Sequence, residues 1–306
     1  MYTDSRYRDA AARAAEGTQW ELRVPRENLY INLTTDLCAE GIDSLALEGS
    51  VPYGRFRFVS ERFDGNVEVV DQWVEEVRQV KTTEEIERIA AAQELTDRAF
   101  DHILGMLAVG VTEAEIALEL ECFMRRQGSQ GVAFDSIVAC GPNSAFPHAK
   151  VTQRALEQGD FVKLDFGAKV DGYCADMTRT VVVGSASDRH REIYEAVLAA
   201  NLEGISAVKA GLPGSTIDAA ARAEIERRGF GENFGHGLGH GVGMEVHELP
   251  RVGPRGTKSV LEGSVITIEP GIYVPGFGGV RIEDLVVVES GRARVLTRST
   301  KDLIEL

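Results

Sequence analysis

The chain has 306 residues, 43% hydrophobic and 26% charged, the composition of an ordinary globular protein long enough for a full core and two domains. Its formal net charge of -15 argues against a nucleic-acid partner, which needs an excess of Lys and Arg. There is no apolar run of about 18 residues and no signal-peptide core after Met1, so no membrane partner is expected, and Cys38, Cys122, Cys140 and Cys174, without close-pair spacing, read as inert thiols in a reducing cytoplasm.

The first eighty residues alternate helix and strand signals. Ser5 to Glu16 is rich in Ala and Arg and stops at Gly17, which predicts a helix with a glycine cap. Gln19 to Val24, Leu45 to Leu47 and Val67 to Val70 read as strands. Together they predict a short α/β N-terminal domain over 1–78. A long helix follows, opened by the capping box Thr82-Thr83-Glu84-Glu85 and carried by Ile86, Ile89, Leu95, Ala99, Ile103 and Leu107. Gly110 to Glu115 breaks it and caps a second helix. Then come an apolar segment, Phe134 to Cys140, and a hairpin of Phe161 to Val170 and Tyr173 to Val183 joined by Asp171-Gly172. The order recurs: a helix from about Asp188 to Ala210, a break at Gly211 to Thr216, a helix ending near Gly229, and β segments at Val265 to Ile268 and Val280 to Val288. Residues 79–306 are therefore expected to form one α+β domain with an internal pseudo-duplication.

Each half ends in two β segments, and each segment carries one acid: Asp165 and Asp176, then Glu269 and Glu283. In a two-residue hairpin Val170 faces Tyr173, so Asp165 falls opposite Thr178 and Asp176 opposite Gly167. The two aspartates are then diagonal neighbours on one face, about 7–8 Å apart at Cα, close enough to share a metal ion. Flanking apolar residues suggest a covered sheet, where carboxylates need compensation. Arg281 and Glu283 share a face by alternation, with Asp284 on the other. His236, His240 and His247 cluster in a segment from Gly235 to Glu248 whose glycines permit close backbone approach. His148 stands alone in Phe146-Pro147-His148-Ala149, and His102 and His190 read as surface residues of helices. Four carboxylates and one imidazole are too few for a caged calcium and too many for one zinc; they suit two divalent ions about 3.5–4 Å apart.

These motifs resemble the pita-bread metallopeptidase family, which includes methionine aminopeptidase, aminopeptidase P and prolidase. Ile268-Glu269-Pro270-Gly271 and Val280-Arg281-Ile282-Glu283-Asp284 resemble its Xaa-Pro peptidase branch. Residues 1–78 resemble the later part of that branch's N-terminal domain, which implies a short-domain variant or a truncated start. The resemblance implies a pita-bread fold and a metal pair bridged by Asp176 and Glu283. Asp165 would complete one site, and His240 and Glu269 the other. It further implies that His148 and His247 contact substrate and steady the transition state. His236 would sit near the proline pocket, and Arg281 would support the site.

The expected reaction is hydrolysis of the bond between an N-terminal residue and proline, with Glu269 moving the proton and His148 or His247 donating to the oxyanion. An oxygen-rich site favours Mn²⁺, with Co²⁺ or Zn²⁺ as alternatives. Arg251, placed like the carboxylate-binding arginine of prolidases, favours an Xaa-Pro dipeptidase. Aminopeptidase P acting on longer peptides is the alternative, and a catalytically silent binding module is a distant one. A small proline-containing peptide as substrate, a homodimer and a cytoplasmic location complete the expectation.

Overall fold

A computed structural model of the protein describes residues 1–26 and 28–306. The chain separates into a unit of Met1–Val74 and a unit of Glu75–Leu306.

In the first unit, helix α1 (Arg8–Ala15) follows a single 3-10 turn, and Gly17 beyond it takes φ +72°. Helices α2 (Leu29–Ala39) and α3 (Tyr53–Ser60) accompany a two-stranded parallel sheet of β1 (Ser44–Glu48) and β2 (Asn66–Val70), with Leu45 beside Val67. The strand expected over Gln19 to Val24 does not form. Only Arg23 makes a bridge, to Tyr2, and a strand exists only through a ladder of partners. Helix α4 (Trp73–Arg78) runs across the boundary in sequence.

In the second unit, α5 (Thr83–Leu104) starts at the expected capping box of Thr82 and Glu85, and α6 (Glu113–Arg126) starts at a second one of Thr112 and Glu115. The strands that follow are β3 (Gly131–Val132), β4 (Ile137–Cys140), β5 (Phe161–Phe166), β6 (Ala168–Val170), β7 (Tyr173–Cys174) and β8 (Met177–Val182). Strands β4, β5 and β8 form one sheet, and β3, β6 and β7 another. Helices α7 (Asp188–Ala207) and α8 (Gly214–Arg227) come next. The remaining strands are β9 (Gly239–Gly241), β10 (Glu248–Val252), β11 (Val265–Ile268), β12 (Gly271–Val274), β13 (Gly278–Arg281), β14 (Asp284–Val288) and β15 (Ala293–Val295). They order as β10-β9-β11-β14-β15 and as a separate β12-β13 hairpin.

Two corrections concern the second half. The expected single segment from Val280 to Val288 is two strands: β13 pairs with β12, and β14 with β11. At the break the Glu283 N–H leaves the ladder and donates to the Thr178 carbonyl at 3.1 Å. The chain thus changes sheets at Ile282-Glu283, beside the first half's strand β8. His190, expected on the surface, is buried; its Nδ1 accepts from Ser187 N–H, and its ring packs on Phe161 and Phe277.

Each half has its own apolar core. One joins α5 and α6 to β4, β5 and β8 through residues such as Phe100, Ile103, Leu120, Leu164 and Val181. The other joins α7 and α8 to β11, β13 and β14 through Ile193, Val197, Ile225, Ile266 and Val286. A smaller cluster of Ile89, Tyr173, Val242, Val265, Leu285 and Val287 links elements of both. Asp165, Asp176, Glu269 and Glu283 therefore lie on or directly beside strands packed on these cores.

Candidate metal centre

The hairpin register places Asp165 as expected, whereas Asp176 lies in the break between β7 and β8, outside either ladder. Asp171 and Gly172 both take positive φ, the conformation of a two-residue hairpin turn, and Val170 pairs with Tyr173. Asp165 then lies opposite Thr178 on the β5–β8 ladder. Gly167 permits the close approach between them: a Cβ there would lie 1.9 Å from the Ala175 carbonyl oxygen. Glu269 stands at the end of β11, its N–H donating to the Leu238 carbonyl at 2.8 Å. His240 lies on β9, where Gly239 lets the chain approach Thr267: a Cβ at Gly239 would lie 2.0 Å from the Thr267 oxygen.

These placements bring Asp165, Asp176, His240, Glu269 and Glu283 to the wall of one cavity of about 80 Å³, with His148, His247 and Arg281 around them. Asp176, His240 and Glu283 offer ligand atoms that all lie within 4.8 Å of one another. His240 Nε2 is 3.5 Å from Asp176 Oδ2 and 3.3 Å from Glu269 Oε1. Its Nδ1 is 3.0 Å from the Gly241 carbonyl. A carbonyl only accepts, so Nδ1 carries a proton and Nε2 is the atom presented to the acids. Asp165 and Arg281 form a buried ion pair, and Arg281 Nε lies 3.9 Å from Glu269 Oε2.

The electrostatics call for a cation. Burial, then the neighbouring Glu283 and Asp165 charges, holds Asp176 well above the usual carboxylate range. Burial, then Glu269 and Asp165, does the same to Glu283. Glu269 goes the other way: burial alone would raise it, but the hydrogen bond and charge of His240 bring it down to about 2. Glu283 Oε2 accepts from Thr178 Oγ1 at 2.7 Å, whereas Oε1 is buried with no hydrogen-bond partner among the described residues. Four carboxylates, one of them with an orphaned oxygen, thus face one guanidinium and one imidazole. Divalent ions bound by hard oxygen donors and a neutral imidazole fit that set.

Groups behind the acids fix their directions. Thr178 Oγ1 accepts from Arg281 Nε at 2.9 Å as it donates to Glu283. Thr267 Oγ1 accepts from His240 N–H at 3.1 Å and donates to Glu269 Oε1 at 3.2 Å. Thr178 was findable in the sequence, since it is the register partner of Asp165. Thr267 carries no such mark.

The other predicted residues surround this centre. His247 packs its ring on His240 with centroids 4.2 Å apart, and burial followed by the His240 charge lowers its pKa. His148 and His236 line an adjoining cavity of about 180 Å³ with Pro147. His236 spends both ring nitrogens inside the protein: Nδ1 on the Gly237 carbonyl at 2.8 Å and Nε2 on the Tyr273 hydroxyl at 2.9 Å. It therefore offers substrate an imidazole face, not a hydrogen bond. Tyr273, absent from the sequence reading, also accepts from Arg281 at 2.8 Å. Lys163, also missed, is fully buried beneath the His148 loop and donates to the carbonyls of Ser144, Phe146 and Pro147 at 3.3, 2.6 and 3.1 Å. Arg251 is the cross-strand partner of His240 and lines a third cavity, of about 350 Å³, with His240 and His247. Among the described residues no carboxylate pairs with Arg251.

The model of metallopeptidase family M24 matches residues 87–290, a stretch that contains all five candidate ligands. The chain belongs to metallopeptidase family M24. Its pita-bread fold is shared with an Xaa-Pro dipeptidase from Bacillus anthracis, at TM-score 0.97 and 42% identity over 100% of this chain and 86% of that one. An X-Pro aminopeptidase from Thermotoga maritima aligns at TM-score 0.92 and 40% identity, over 100% of this chain and 87% of that one. In sequence, an Xaa-Pro dipeptidase from Pyrococcus horikoshii is 41% identical over 266 residues, which are 87% of this chain and 76% of the relative. Membership of M24 agrees with a metal-dependent peptidase, and the acidic cluster is where this M24 chain would hold divalent ions.

Proposed function

We propose that this protein is an Xaa-Pro dipeptidase that binds two divalent ions, with Mn²⁺ the best match to an oxygen-rich donor set. The carrying observation is the convergence of four carboxylates, three of them on buried residues, and one imidazole on one cavity, in a chain 42% identical along its whole length to an Xaa-Pro dipeptidase. Asp165, Asp176, His240, Glu269 and Glu283 would hold the ions, which would supply charge stabilisation and lower the pKa of a nucleophilic water. Residues 79–306 form the catalytic domain in this reading, and 1–78 a short N-terminal domain.

The remaining steps belong to side chains. Glu269 reaches the cavity and is ionised at neutral pH, so it can take a proton from water and return it to the leaving nitrogen. His148 and His247, which both line that cavity, donate to the developing oxyanion. Pro147 and the face of His236 form a wall for the proline ring, which has no amide hydrogen to be satisfied. Arg251, with no carboxylate partner among the described residues and next to His240 across the strands, binds the C-terminal carboxylate of a dipeptide. The reading includes a homodimer in the cytoplasm. Its four free thiols suit that compartment. Separately, among the described residues no helix is long and apolar enough to cross a membrane.

The second reading is an Xaa-Pro aminopeptidase acting on longer peptides, favoured by the likeness to the Thermotoga maritima structure. Hydrolysis of an Xaa-Pro dipeptide by chelated protein, before and after Mn²⁺ is restored, tests the proposal. Activity should return with the ion; an ion-independent rate, or no rate, would overturn it.

A further inference from the structure

Behind the cavity, Asn201 on α7 is fully buried. Its Nδ2 donates to the Ile268 carbonyl at 3.0 Å and to the Ile282 carbonyl at 3.2 Å. Those are the carbonyls immediately before Glu269 and Glu283. One sits at the end of β11 and the other just past β13, strands of different sheets. Asn201 Oδ1 accepts from Lys301 Nζ at 2.9 Å. An ammonium only donates, so this contact fixes which end of the amide faces the two carbonyls. Lys301 Nζ also donates to Asp284 Oδ2 at 2.7 Å, and Asp284 Oδ1 pairs with Arg179 at 2.9 Å. Arg179, itself buried, donates to the carbonyls of Glu283, Thr178, Ser299 and Thr300. The network ties residues 299–301 to the peptide units on either side of Glu283.

We infer that Asn201, oriented by Lys301, is a positioning residue that sets the spacing of Glu269 and Glu283 for divalent-ion binding. This rests on the metal-binding reading above. Carboxylates gathered at one cavity repel one another and tend to splay. A single planar amide bonded to both ligand-bearing segments opposes that motion from the side away from the ions. Neither side chain reaches the cavity, so the effect runs through the backbone. Groups that orient ligands without touching the metal typically change metal affinity about 10–100-fold when removed.

The test is calorimetric titration of Mn²⁺ into metal-free full-length protein, alongside the melting temperature of each metal-free variant. Asn201→Asp keeps the shape and the contact to Lys301 but replaces two donors with an acceptor. It and Asn201→Ala should weaken Mn²⁺ binding about 10–100-fold. Lys301→Met should weaken it in the same direction, and Lys301→Arg should recover part of the loss. A purely structural role would lower the melting temperature and leave affinity alone. Dissociation constants within about twofold of the parent in every folded variant would overturn the inference. If the Asn201 variants do not fold, Lys301→Met decides it by the same criterion. A parent that takes up no Mn²⁺ would overturn the metal reading itself. A parent that binds tightly beside unchanged variants would overturn only the positioning role.

Discussion

Thr178 Oγ1 donates to one oxygen of Glu283 at 2.7 Å, while the other oxygen of that carboxylate is buried without a partner among the described residues. The threonine comes from β8 in the first half of the unit and the glutamate from the sheet change in the second, so this contact joins the two halves. It holds Glu283 in one orientation and leaves its free oxygen for a cation. Thr178→Val keeps the β-branched shape and deletes the donor. We expect it to weaken Mn²⁺ binding about tenfold or more, read by titration of the metal-free protein. Unchanged affinity would mean that the hydroxyl does not orient the ligand.

The repulsion among the acids has a pH signature. Burial and neighbouring charges raise Glu283 above its unfolded value. Its favourable contribution in the metal-free protein is therefore fully present below about pH 4.3, the unfolded glutamate value, and is lost as pH rises through the folded value. Glu283→Gln removes that loss. In chelator, the variant should melt higher than the parent at neutral pH, by about 2–4 °C per kcal/mol relieved, and the gap should close toward pH 4. Mn²⁺ should stabilise the parent far more than the variant. A variant that melts lower than the parent at neutral pH would contradict this electrostatic reading.

Glu269→Gln should preserve the fold and the cavity while removing the proton acceptor. At saturating Mn²⁺, kcat should fall about 10²–10⁴-fold. Turnover close to that of the parent would transfer the proton step to another group.

Arg251→Ala should raise KM for an Xaa-Pro dipeptide about 10–100-fold, the equivalent of a charge-assisted hydrogen bond of about 1.5–3 kcal/mol. The effect on an Xaa-Pro-Yaa tripeptide should be much smaller, because its carboxylate lies one residue farther out. Equal effects on both peptides would return Arg251 to the solvent.

Local signals made much of this architecture legible. The capping boxes at Thr82 and Thr112 start their helices where the sequence places them, and Asp171-Gly172 fixes a register in which Asp165 meets Thr178. The family likeness came from other stretches, those around the four acids and His240. What stayed hidden depends on distant partners. Gln19 to Val24 has strand composition but only one bridge to make. Alternation over Val280 to Val288 cannot show that Glu283 donates its N–H to another strand's carbonyl and splits the segment. Lys163 and Asn201 read as ordinary strand and helix residues, because their importance lies in carbonyls far along the chain.

The most direct measurement compares kcat/KM for an Xaa-Pro dipeptide and the matching Xaa-Pro-Yaa tripeptide, each with Mn²⁺ and with chelator. The account predicts cleavage that requires the ion and favours the dipeptide. Ion-dependent preference for the tripeptide would make the protein an aminopeptidase and remove the role given to Arg251. Failure to cleave either peptide with Mn²⁺ present would contradict the assignment of the acidic cavity as a peptidase centre.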